Sequence, residues 1–240
     1  GWVNVREILV AGTNAPLVVT WVDGNSWQVT LPVAPGTQSY TLQAYDFSGA
    51  LVGAGNVTIE NTTAVEPASA VNLAISEFMY HPAAPTASEI VAGFGDDDLF
   101  EYVELMNIGA APVDLSGAAF SGAFDFLLPS TTIAPGARVV LARARAAFLS
   151  RHPGAAAALL DGEYHGAGDT NQLSNGGEQI VLRNALGGDI RRFTYDDDPD
   201  WPTSPDGGGY SLVLIAPQSN PPHGDPFSWR PATVAGGNPG

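Results

Sequence analysis

Apolar and polar positions alternate in short runs through most of this chain, and glycine, proline, asparagine or aspartate closes nearly every run. A period of two bounded by turn formers predicts β-strands rather than helices. In the first 63 residues the predicted strands are VNVREILV (3–10), PLVVTWV (16–22), SWQVTLPV (26–33), SYTLQAYD (39–46) and LVGAGNVTI (51–59). Asp23-Gly24-Asn25, Ala34-Pro35-Gly36 and Phe47-Ser48-Gly49 supply the turns between them. Trp21 and Trp27 fall on the two arms of one predicted hairpin. Strands at this regular spacing predict a small sandwich, assigned to residues 1–63.

Residues 61–71, NTTAVEPASAV, lose the alternation and become small and polar, which places a linker at 64–71. A second sandwich is predicted over 72–231. Its strands are read in LAISEFMYHP, FEYVELMNIG, PVDLSG, AFDFLLP, RVVLARA, EQIVLRN, DIRRFTY and YSLVLIA. Between them, 142–160 (ARARAAFLSRHPGAAAALL) is the one helix candidate, broken at Pro153-Gly154, and reads as a short crossover. The proline- and glycine-rich end, with 232–240 taken as a flexible tail, still offers Trp229 to the core. In EYVELMN, Tyr102, Glu104 and Met106 share one face and Glu101, Val103, Leu105 and Asn107 the other. Neither face is cleanly apolar, so at least one carboxylate must be accounted for.

Charge narrows the function. The 240 residues carry 9 basic and 25 acidic side chains, a formal net charge of −16, and every basic residue is arginine. Such a surface repels phosphate backbones and anionic headgroups, which argues against nucleic acid or a polybasic membrane role and allows cations or basic partners. Without cysteine there are no thiol reactions, zinc-thiolate sites or disulfides. No stretch reads as a bilayer span, and GWVNVREILV lacks a signal-peptide pattern. Strand-like sequence from the outset points to a piece of a longer protein, whose signal would have been removed if it is exported.

ISEFMYHP, EYVELMNIGAAPVDLSG, TTIAPGARVVLAR, LSNGGEQIVLRNALGGDI and YDDDPDWPTSPDGGGYSLVL, in that order, resemble a bacterial lamin-tail domain over roughly residues 73–231. The resemblance implies an immunoglobulin-like β-sandwich that acts as an accessory, non-catalytic interaction module of exported multidomain bacterial proteins. PVAPGTQSYTLQAYDFSGALVG resembles the small immunoglobulin-like β domains that often precede it.

Candidate chemistry is sparse. Asp196, Asp197, Asp198 and Asp200 surround Trp201, with Asp206 following in a glycine-rich loop. Close-set carboxylates suit Ca²⁺, which needs six to eight converging oxygens, although the EF-hand series is absent. The same loop also reads as a solvated turn. Asp96, Asp97 and Asp98 form a second cluster. Glu77 lies between Ile75 and Met79 on its predicted face; if its strand pairs with that of Glu104, the two carboxylates could face each other for acid–base work. They could equally accept backbone hydrogen bonds or pair with Arg191 or Arg192. The histidines show no zinc spacing, and Gly207-Gly208-Gly209 precedes a strand, as a turn does and a phosphate loop does not. Trp21, Trp27 and Trp201 are candidates for stacking on sugar rings, or plugs at the ends of their sandwiches. The sequence therefore predicts a non-enzymatic secreted or cell-surface module, stabilised by Ca²⁺ and binding a glycan or protein. A metal-dependent hydrolase using Glu77, Glu104 and the Asp196–Asp200 loop is the alternative.

Overall fold

A computed structural model describes residues 5–23, 26–164 and 171–240. His165 and the predicted turn residues Gly24 and Asn25 lie outside the described residues. The first module contains β1 (Val5–Val10), β2 (Val19–Trp21), β3 (Trp27–Val29), β4 (Gly36–Asp46) and β5 (Leu51–Asn61). β1, β4 and β5 form one antiparallel sheet, and β2 and β3 a hairpin with Trp21 opposite Trp27. Their shared core is small: Ile8, Val10 and Leu17 are buried, with Trp27, Val29, Tyr40 and Leu42 half-buried around them. Leu186, from the second module, completes it.

The second module is a sandwich built from β6 (Glu66–Pro67), β7 (Leu73–Met79), β8 (Tyr102–Asn107), β9 (Val113–Asp114), β10 (Ala119–Gly122), β11 (Phe126–Leu127), β12 (Thr132–Ile133), β13 (Arg138–Ala142), β14 (Glu178–Arg183), β15 (Asp189–Tyr195), β16 (Leu212–Leu214) and β17 (Trp229–Pro231). A five-stranded sheet, β13-β8-β7-β16-β17, packs on a four-stranded sheet, β11-β10-β14-β15. β6 was assigned to the linker, yet it pairs in parallel with β9, because Glu66 and Ala68 donate to the carbonyls of Pro112 and Asp114. Among the described residues two short α-helices decorate the sandwich, α1 (Ala87–Val91) and α2 (Arg145–Arg151). α2 lies in the predicted crossover, which continues into a 3₁₀ turn at Pro153–Ala155. α1 adds a helix to the loop between β7 and β8. Thr86 and Glu89 cap it reciprocally, and the T-x-x-E signature of that capping box is present in the sequence.

Every residue of β7 and β8 is buried, so both faces of the central strands are covered. Phe78, Val103, Leu105, Val139, Leu141, Leu212 and Leu214 join the core between the sheets. Met79, Tyr102, Val140 and Ala142 form a second core with Phe148 of α2. A bulge in β7 decides which side chain goes where. Ile75 pairs with Leu105 but Glu77 pairs with Glu104, leaving Ser76 as the extra residue. One extra residue exchanges the two faces beyond it. Glu77 therefore leaves the face of Ile75 and joins Glu104 and Met79 on the outer side, so the sequence-based placement between Ile75 and Met79 on a single face is corrected by the bulge.

Aromatic rings fill the middle of the sandwich. Phe78 meets Tyr195 and Trp229 edge-on at 5.1 Å each, and Trp201 lies 6.5 Å from Trp229. Trp229 Nε1 donates to the His223 carbonyl at 2.8 Å. Buried His223 in turn accepts the Ile75 N–H at Nε2 (3.2 Å) and faces the Pro221 carbonyl with Nδ1 (3.1 Å), which places its proton on Nδ1. Truncating Phe78 opens the centre of this ring cluster. Phe78→Ala is expected to cost about 3–5 kcal/mol in chemical denaturation, within the range for large aromatic truncations, whereas exposed Val71→Ala leaves the midpoint unchanged.

Candidate functional site

The paired strands bring Glu77 and Glu104 side by side on the outer face of the five-stranded sheet, each 2% exposed. Buried carboxylates persist only when donors replace water. Glu77 Oε1 accepts from Tyr102 Oη (2.5 Å), Ser211 Oγ (2.6 Å) and the backbone N–H of Asn238 (3.0 Å). Glu104 accepts from Ser76 Oγ (2.5 Å) and the backbone N–H of Gly240 (2.7 Å), and forms an ion pair with Arg138, whose Nε lies 3.1 Å away. Burial, and secondarily the neighbouring Glu77, raises the Glu104 pKa against these donors. The cation is Arg138 rather than Arg191 or Arg192. Arg191 reaches the Ala70 carbonyl and Asn220, and Arg192 clasps Asp189. Residues 236–240, assigned above to a flexible tail, lie over the carboxylates because these need the amides the tail supplies. A cavity of about 220 Å³ opens beside the pair, lined by Ser76, Glu77, Glu104, Arg138, Arg230 and Asn238 among others.

A third carboxylate is buried on the opposite, inner side. Glu101, fully buried, accepts from the Leu173 N–H (2.9 Å) and Tyr164 Oη (3.1 Å) through Oε2, while Oε1 has no partner. Desolvation pushes its pKa up to about 9 despite those bonds and the nearby Arg143. Arg143, 2% exposed, donates to the Asn171 carbonyl and to Gln172, and its Nη1 lies 3.9 Å from carboxylate oxygens of both Asp96 and Asp98. The two faces of EYVELMN thus each keep one carboxylate, Glu104 outward and Glu101 inward.

The two aspartate clusters differ in their compensation. Asp96, Asp97 and Asp98 gather around a 3₁₀ turn next to buried Arg143. Asp196, Asp197 and Asp198 hold one carboxylate oxygen each within 4.8 Å of the others, and no ion pair among the described residues reaches them. Asp196 Oδ1 accepts the amides of Asp197 and Asp198, which shapes the loop. Asp200 is exposed and stands outside this group, and Asp206 instead meets His81 Nδ1 at 3.0 Å. Neither Glu77 nor Glu104 joins any group of three or more metal-ligating side chains among the described residues. The convergence required by the metal-hydrolase alternative does not occur there.

Trp201 is 7% exposed and packs into the sandwich, unavailable as a stacking platform. Trp21 is 47% exposed. Trp27, half-buried, borders a cleft of about 1060 Å³ between the two modules, with Thr20, Gln28, Asp114, Ser116 and Ser130 on its walls. No helix among the described residues is long and apolar enough to cross a membrane.

Two packed sheets, with carboxylates buried beside hydroxyl and backbone donors, define an immunoglobulin-like β-sandwich. The chain belongs to the lamin tail domain family: the Lamin Tail Domain model matches residues 66–197, more than half of its length. Domains of this family are typically non-catalytic. Comparison with curated proteins finds none that matches the chain. Among solved structures, a DUF4876 family protein from Bacteroides thetaiotaomicron VPI-5482 is similar at 11% identity and a TM-score of 0.40, with 88% of this chain and 83% of that one covered.

Glu101 generates a pH prediction. Its folded pKa, about 9, lies above its ordinary value of 4.5. The folded state therefore binds the extra proton, and the associated stability is present below about 4.5 and lost as pH rises towards 9. Glu101→Gln should flatten the decline in melting temperature across that window and leave the variant more stable than the parent at pH 8. A parent curve with no decline there, unchanged in the variant, would contradict an elevated pKa.

Proposed function

We propose that this chain is a structural and interaction module of a secreted or cell-surface bacterial multidomain protein. In this reading Ca²⁺ rigidifies the Asp196–Asp198 loop, and a protein or glycan at the cell surface is the partner. The first 63 residues serve as an immunoglobulin-like spacer in front of the lamin-tail sandwich. The observation that carries the calcium assignment is the contrast between the two aspartate clusters. Arg143 already offsets Asp96 and Asp98, whereas Asp196, Asp197 and Asp198 converge with no arginine paired to them among the described residues. Hard oxygen donors at this spacing favour Ca²⁺, with water and backbone carbonyls completing the shell.

A native-state ion stabilises by mass action, about 2.7 kcal/mol at one hundred times its Kd. Millimolar Ca²⁺ added to EDTA-stripped protein is expected to raise the melting temperature by several degrees, and Mg²⁺ at matched ionic strength much less. Asp197→Asn with Asp198→Asn should abolish the rise, while Asp97→Asn preserves it. An equal response in all three proteins would reduce the effect to general screening.

The intermodular cleft favours a glycan over a flat protein partner, since Trp27 there stands among hydroxyl, amide and carboxylate groups. Glycan-array binding that is lost in Trp27→Ala and retained in Trp201→Phe is the expected pattern. Equal loss in both variants would place the effect in folding.

A further inference from the structure

We propose that Glu77 and Glu104 form a receptor for a glycine-bearing peptide that turns at its glycines and then presents two alternate amides, occupied in cis by residues Gly236–Gly240. The segment crosses the outer face of the five-stranded sheet beside the second core. Asn238 donates its N–H to Glu77 and Gly240 donates its N–H to Glu104. These are alternate residues, and in an extended chain alternate residues turn towards the same side. The residue between them is Pro239, which has no N–H to leave unpaired. A proline also restrains the residue before it to extended conformations, so Asn238 is biased towards the docked shape.

Gly237 sets the specificity. A Cβ there would stand 1.9 Å from Tyr102 Oη, 2.4 Å from Glu77 Oε1 and 2.7 Å from Ser211 Oγ, and its φ of +83° disfavours any other residue. The strap therefore approaches so closely that a single methyl group would lift it away. Gly236 reinforces the seat: its N–H donates to the Gly209 carbonyl at 2.7 Å, its carbonyl lies 3.3 Å from Tyr102 Oη as a minor second acceptor beside Glu77, and a Cβ built on it would meet the His152 ring. A Cβ built at Gly240 would come into van der Waals contact with Ala155 and Ala158, past the end of α2.

The receptor exists because of a donor shortage. Among the described residues the two carboxylates have one ion-paired cation, Arg138, which meets Glu104 alone and is 41% exposed along its side chain. Ser76, Tyr102 and Ser211 supply three hydroxyl donors, and the strap adds two amides. Without the strap's two amides, Glu77 and Glu104 would have acceptor capacity to fill beside the adjoining 220 Å³ cavity. Such a surface fits another peptide with the same pattern: an N–H donor, a donor-free residue, a second N–H donor, and a left-handed glycine before the first.

The test begins with the full chain. Amide hydrogen exchange is expected to protect Asn238 and Gly240 at least tenfold over unstructured peptide rates, with the protection lost in Gly237→Ala. Unprotected amides in the parent chain would overturn the proposal directly. A chain ending at Ala235 is then titrated with the peptide Gly-Gly-Asn-Pro-Gly while circular dichroism monitors its fold. The peptide should bind and raise the melting temperature, whereas the peptide with alanine as its second residue should do neither. Equal behaviour of the two peptides, or no binding to a folded shortened chain, would refute a receptor. If the shortened chain does not fold, the same peptide pair is applied to full-length Gly237→Ala, where binding of only the glycine form supports the receptor and any other result rejects it.

Discussion

The bulge at Ser76 is the constraint on which the rest of the second module depends. Before it, Leu73 and Ile75 point between the sheets; after it, Phe78 does. The extra residue keeps a large ring at the centre of the sandwich and at the same time sends Glu77 outward beside Glu104. Phe78 then contacts Tyr195, Phe193 and Trp229, and so ties β7 to the facing sheet and to the final strand. A regular β7 would face a choice between burying a carboxylate among these rings and turning Phe78 away from them. The bulged residue also does chemical work, since its own hydroxyl binds Glu104.

Acidity is handled differently at each depth. On the wet face of the four-stranded sheet, Asp189 pairs with Arg183 and Arg192 in contacts that solvent weakens. Midway in, Glu89 is held down to about pKa 2 by Arg151, whose guanidinium also lies over the Phe100 ring and so pins α1 to α2. At full burial the arginines are too few for the carboxylates, and neutral donors take over: hydroxyls, backbone amides and, for Glu101, the phenol of Tyr164. An acidic, lysine-free composition thus restricts what can sit inside this sandwich. Each interior carboxylate needs a polar neighbour brought from a distant part of the chain.

Much of the architecture was legible because it is written in local pattern. The alternation of β4 and β15, the proline-glycine break after α2 and the ordered lamin-tail segments all lie within short windows. EYVELMN announced its own difficulty, and the structure locates it in Glu101 and Glu104. What the sequence could not disclose was long-range or off-register. The bulge breaks the very period from which faces are read. The strap's amides come from residues 161 and 136 positions away from their acceptors, and backbone donors leave no side-chain signature. The Gly236-Gly237 pair followed by Asn-Pro was the available clue. Of the two readings open for Trp201, a stacking surface or a plug of its sandwich, burial in the core selects the plug. Its neighbours in sequence are polar, but its neighbours in space are Trp229 and the sandwich interior.

Leu186 sits in the turn between β14 and β15, yet it packs into the small core around Ile8, Val10 and Leu17. During synthesis the first module leaves the ribosome long before that leucine exists. The module's own strands supply most of that core, and Leu186 adds the contact that comes from the second module. The stability of the first module is thereby tied to the second: loosening the β14–β15 turn would uncover a hydrophobic contact far away in sequence from Ile8.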